Sequence, residues 1–145
     1  MAYEALHKDA KALGLPDVSL AKNDDVRLRS RGSLEILQRA GVTMAFGTDL
    51  LGELHKYQSD EFTIRAEVLP PIEVIRSTTC YAAELLCMTG KVGSLQIGVF
   101  ADLIAVDGGP LENMSLLGGQ GDHLSLIVRA GRVVKNTIDD NGCPE

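Results

Sequence analysis

Few of the acidic, basic and imidazole side chains in this chain fall where they could act together, and Asp49 is the first that does. It ends Gly47-Thr48-Asp49, directly after the apolar run Val42-Thr43-Met44-Ala45-Phe46. A carboxylate at the end of a rigid buried element can ligate a metal or take a proton from water. The same residue after Gly-Thr can instead cap a turn or a helix. His55 follows six residues later in a stretch that reads as a loop. It could bind a substrate carboxylate or simply face solvent. Arg65 could clamp a carboxylate through two parallel bonds. Its neighbours Asp60 and Glu61 favour a solvated or ion-paired arginine instead.

The remaining reactive groups form no constellation. The three histidines are His7, His55 and His123, and no two have ligand spacing. A catalytic zinc usually takes three protein ligands. His7 sits in a predicted helix without a partner. His123 stands beside Asp122 and Ser125, but triads are assembled in space rather than along the chain. Gly118-Gly119-Gln120-Gly121 does not lead from a strand into a helix, so it reads as a connection, not a phosphate cradle. Cys80, Cys87 and Cys143 form no CxxC pair, and the odd count fits free thiols in a reducing compartment. Cys80 and Cys87, two helical turns apart, read as core packing.

The elements that would position Asp49 come from periodicity. A helix is predicted over 3–13, then a second helical region over 19–40 with Leu34, Ile36, Leu37 and Ala40 on its buried face. Gly41 ends it. The continuous apolar run Val42–Phe46 reads as a strand buried on both faces, as in a parallel sheet. After an ambiguous stretch over 51–69, Pro70-Pro71 opens a helix that runs to Gly90, with Ile72, Ile75, Thr79, Ala82, Leu85 and Leu86 on one face. From Lys91 the texture turns to β. Asp102–Val106 and Leu124–Val128 read as strands, and Ala130-Gly131 turns the second into Arg132–Lys135 as a hairpin.

The chain has 145 residues, 45% of them hydrophobic, which suffices for one ordinary core. The formal charge of -6, with no basic block, argues against a nucleic-acid partner. No apolar run approaches the roughly 20 residues that span a bilayer, and no signal peptide is visible. A cytoplasmic location is expected.

Three stretches together resemble the amidohydrolase superfamily. Gly41–Asp49 resembles its last barrel strand. Gly93-Ser94-Leu95-Gln96-Ile97-Gly98-Val99-Phe100-Ala101-Asp102-Leu103-Ile104-Ala105-Val106-Asp107 resembles the return to its small β-sandwich domain. Ile127–Val134 resembles the closing hairpin. The subgroup of greatest likeness includes imidazolonepropionase-like proteins and dipeptidases acting on Xaa-Pro or Xaa-Arg/Lys substrates. Gly47–Gly52 followed by His55 and Gln58 favours the dipeptidase-like branch.

The resemblance implies an α/β fold. Residues 1–91 would hold the last helices and last strand of a (β/α)8 barrel, 92–136 the C-terminal part of the sandwich, and 137–145 a polar tail. It implies hydrolysis of a C–N bond in a dipeptide or cyclic amide by a water activated on a divalent metal, zinc first. Asp49 would be metal ligand and proton shuttle, with His55 as a candidate for substrate binding. The superfamily's other ligands, an HxH pair, a bridging Lys or Glu and two later histidines, are not found in this sequence. The expectation is therefore a C-terminal piece that needs the missing barrel portion, or self-association, to be complete. The alternatives are a non-catalytic truncated chain or subunit, and a self-standing α/β binding module in which Asp49 is a turn residue.

Overall fold

In the computed structural model, residues 2–138 are described. Helix α1 (Ala2–Lys8) leads through turns and Pro16 into α2 (Asp17–Arg39), longer than the other helices. The two pack through Ala5, which is fully buried, and through Asn23, whose side-chain amide donates to the Tyr3 carbonyl at 2.9 Å. His7 gains a partner that periodicity did not suggest, since its Nδ1 lies 2.8 Å from Asp24 Oδ1. The expected buried face at the end of α2 is absent. Leu34 is half-buried, while Ile36, Leu37 and Ala40 are exposed, because α1 covers only the other half of the helix. Gly41 ends α2 in a Schellman turn. Its N–H reaches Gln38 O at 3.0 Å and the next N–H, Val42, reaches Leu37 O at 3.1 Å. That turn needs the left-handed φ of +69° that glycine adopts without strain.

The expected strand Val42–Phe46 does not form. The segment joins no sheet, Val42 is exposed, and Met44, Ala45 and Phe46 are only half-buried. A strand is completed by neighbours that take up its backbone groups, and no described strand lies beside this one. The ambiguous stretch resolves into a 3-10 turn, Gly52–Tyr57, and α3 (Asp60–Ala66). The helix expected from Pro71 to Gly90 is broken at Thr79 (φ −119°, ψ −97°) into α4 (Pro71–Thr78) and α5 (Cys80–Leu85). Ser77 Oγ donates back to Val74 O, and Thr78 and Thr79 Oγ1 both donate to Ile75 O. Such back-bonding competes with the helical ladder and bends it. The break redirects the buried face to Val74, Ser77 and Ala83. Ile72, Leu85, Leu86, Cys80 and Cys87 are exposed, so the two cysteines are surface thiols and not core packing. Cys143 lies outside the described residues.

The β elements form where expected. Strands β1 (Leu103–Val106), β2 (Leu124–Arg129) and β3 (Arg132–Asn136) make an antiparallel sheet in the order β1-β2-β3. Arg129 pairs with Arg132 across Ala130-Gly131, and Leu103 pairs with Val128. A core of Leu69, Val74 and Met114 joins the regions, with Met44, Phe62, Ala66, Val68, Ile75 and Leu117 against it. Met114 and Leu117 belong to a 3-10 turn, Met114–Leu117, between β1 and β2, so the loops of the sheet share a core with α3 and α4. Burying Val74 completely stabilises this junction by roughly 1.5–3 kcal/mol.

Candidate functional site

The segment that ends in Asp49 is held from behind. Phe46 N–H donates to Ser77 O at 2.9 Å. Arg65 Nη2 donates to Ala45 O at 3.1 Å, and its guanidinium lies 5.1 Å from the centre of the Phe46 ring. Phe46 also packs on Phe62, ring centres 4.7 Å apart. Arg65 is anchored in turn by Glu61, Nε to Oε1 at 2.6 Å, both side chains buried. Arg65 is therefore ion-paired, as its acidic neighbours suggested, but through Glu61 alone and out of solvent. It supports the backbone of the segment and does not reach into the space ahead of it. Glu61 and Arg65 stand four apart on α3, so one helical turn brings them together.

Asp49 itself is exposed, with φ 53°, a left-handed conformation that Asp tolerates better than most residues. An open recess of about 390 Å³ is lined by Phe46, Gly47, Thr48, Gln58, Ser59 and Phe62, so its lining ends one residue before Asp49. His55 is exposed in the 3-10 turn that follows. Among the described residues, no three His, Cys, Asp or Glu side chains lie close enough together to hold a metal ion. Asp49 and His55 are both exposed, and the described residues do not fit a metal on their own. His123, Asp122 and Ser125 make no side-chain hydrogen bonds with one another.

The turn that carries His55 is tied down by the residue that follows α1. Asp9 accepts from Lys56 Nζ at 2.6 Å and from Tyr57 Oη at 2.7 Å. The Lys56 ammonium, then the Tyr57 hydroxyl, hold the Asp9 carboxyl below the usual carboxylate range. The Asp9 carboxylate in turn pushes Lys56 and the Tyr57 phenol upward. Sequence reasoning missed this clamp, in which Asp9 lies 48 residues from Tyr57 with no local signal. It also missed the Gln120 side chain, which hydrogen-bonds the Lys56 carbonyl. Glycines flanking a polar residue are the one cue that could have marked that loop.

The sequence profile of the amidohydrolase family matches residues 2–135. A solved amidohydrolase structure is 48% identical with TM-score 0.87, covering 95% of this chain and 33% of that one. A prolidase solved with N-methylphosphonate-L-proline is 44% identical with TM-score 0.85, covering 93% and 33%. A 5-methylthioadenosine/S-adenosylhomocysteine deaminase of Syntrophobacter fumaroxidans (strain DSM 10017 / MPOB) is 31% identical over 119 residues, 69% of this chain and 26% of the deaminase. The chain thus spans about a third or less of the length of these relatives.

Proposed function

The chain belongs to the amidohydrolase family, and we propose that it contributes Asp49 to a site that hydrolyses C–N bonds, of a dipeptide first and a cyclic amide second. The observation that carries this reading is the exposed Asp49 at the end of a segment held by Ser77, Arg65 and Phe62, with a recess lined in part by that segment. The 44% identity to a prolidase favours the dipeptide. In this reading residues 1–91 complete the helical and strand layer of a barrel, and 92–136 close a small β domain. Val42–Phe46 becomes a strand when its neighbours are present.

The family is generally metal-dependent, and Asp49 would supply one carboxylate to a divalent ion, zinc first. The other ligands would come from outside the described residues. The chain's own contribution is acid–base. The Asp49 carboxylate accepts the proton of an attacking water and returns it to the departing nitrogen. In this reading His55, on the turn that follows, would meet the substrate carboxylate. A second reading, that this chain alone is non-catalytic, rests on the lack of a three-ligand cluster among the described residues.

The test is a complementation assay. The chain alone is expected to bind little zinc and to leave Xaa-Pro and Xaa-Arg dipeptides intact. Co-expression with the remaining two-thirds of a relative should restore metal and turnover. Asp49→Asn should then lower kcat by about 10²–10⁴-fold. Unchanged turnover in Asp49→Asn would remove Asp49 from the chemistry. A folded, soluble complex without metal would count against the hydrolase reading.

A further inference from the structure

Gln120 lies between Gly119 and Gly121 with φ 55° and ψ 29°, a left-handed conformation that a residue with a long side chain rarely adopts. Its side chain has a use for that geometry. Nε2 donates to the Lys56 carbonyl and, at 3.4 Å, to the His55 carbonyl, while Oε1 accepts from Gln58 Nε2 at 3.3 Å. Two facing carbonyls require the NH2 group on that side, so the partners fix the orientation of the amide. The loop is held at its other end as well, where Lys135 Nζ on β3 donates to Gly121 O at 3.0 Å. Contacts therefore run from the sheet through Gly121 and Gln120 to the 3-10 turn Gly52–Tyr57. Asp9 grips the same turn through Lys56 and Tyr57.

We propose that Gln120 is a positioning residue: it latches the turn that carries His55 to the β-sheet region and so sets that turn's distance from Asp49. The link to catalysis rests on the reading that Asp49 and His55 border the site. The latch itself does not.

Hydrogen exchange by mass spectrometry on the full chain tests it without any turnover. Gln120→Glu keeps the shape and Oε1 but replaces the donors with an oxygen facing two carbonyls. Amides over 52–58 should then exchange about two- to tenfold faster, the range for one lost hydrogen bond. Amides of β2 and β3 should not change. Gln120→Lys, which regains a donor, should restore protection over 52–58. Unchanged exchange over 52–58 in Gln120→Glu overturns the latch. Faster exchange in both variants, or loss spread over β2 and β3, assigns Gln120 to the folding of its own loop and overturns it too. An inactive complemented enzyme with the predicted exchange pattern would remove the catalytic reading and leave the latch.

Discussion

The β2–β3 hairpin draws its hydrogen bonds from its own two strands and from β1 beside it, whereas the interior of segment 42–50 takes its few bonds from elements far along the chain. Both are apolar and rich in residues suited to strands. In the hairpin, each strand supplies the other's partners through a two-residue turn. In 42–50, the interior bonds come from Ser77 and Arg65, and the front of the segment stays open. Local closure makes a strand independent of context. A segment without adjacent strands is positioned only as well as the groups behind it.

The largest effect should come from removing the support behind 42–50. Arg65→Ala leaves the Glu61 carboxylate buried without its guanidinium, a loss on the order of 3–5 kcal/mol. One atom of each partner, Glu61 Oε2 and Arg65 Nη1, already lacks a protein hydrogen bond. Replacing both together, Glu61→Leu with Arg65→Met, should therefore recover most of the stability. Urea denaturation followed by circular dichroism reads both. A single substitution costing less than about 1 kcal/mol would show that the segment does not depend on this pair.

A smaller loss is expected where the loop before β1 meets the break between α4 and α5, outside both regions. Gly93 has φ +83°, and a Cβ there would lie 2.7 Å from the Thr79 carbonyl oxygen and 2.9 Å from the Ala83 side chain. Gly93→Ala combines a close approach with a strained φ and should cost about 2–3 kcal/mol. A thermal melt unchanged from the parent chain would mean that the break at Thr79 and the loop at Gly93 are not in contact.

The same contrast explains what could be read from the sequence. Ala130-Gly131 between two β-type runs specifies a hairpin from a dozen consecutive residues, and Pro70-Pro71 specifies where α4 begins. Val42–Phe46 carries an equally clear apolar pattern, yet whether it becomes a strand depends on neighbours that periodicity does not reveal. The break at Thr79 was written in Ser77-Thr78-Thr79, three consecutive hydroxyl residues inside a predicted helix, and was outweighed by the apolar spacing around them. Asp49 was legible because it sits at a change of texture. The groups that hold its surroundings, Glu61 with Arg65, Asp9 with Lys56 and Tyr57, and Gln120, act across the fold. Of these only the Glu61–Arg65 pair has a spacing that sequence can show.

A third test titrates the clamp on the His55 turn. Asp9 has a lowered folded pKa, so its contribution is present above about pH 4 and is lost as pH falls through the folded value. Lys56 and Tyr57 have raised folded values. Their contribution is present below about pH 10 and is lost as pH rises through those values. The difference in Tm between the parent chain and Asp9→Asn should therefore be greatest between about pH 4 and 10 and shrink on both sides. A difference that does not vary with pH would mean that packing, not charge, is what Asp9 supplies.

The smallest effect is expected in the hairpin, and it is a gain. Ala130 and Gly131 both have positive φ, 48° and 78°, the signature of a type I′ turn between paired Arg129 and Arg132. Such a turn matches the twist of its strands, but alanine at its first position bears the steric cost of a left-handed backbone. Asparagine tolerates that conformation, and Asn-Gly is the favoured pair for this turn. The Ala130 side chain is exposed, so the larger group meets no packed neighbour. The bond from the Ala130 N–H to Asp102 Oδ1, 2.6 Å, involves the backbone and survives the change. Ala130→Asn should therefore stabilise the chain by about 0.5–1 kcal/mol, seen as a higher urea midpoint with an unchanged slope. The same substitution in the background of Arg65→Ala should give the same increment, because the hairpin bonds to itself and to β1 and not to the groups behind 42–50. A gain that disappears in that background would show that the two regions are coupled, and the independence of the sheet from segment 42–50 would have to be given up.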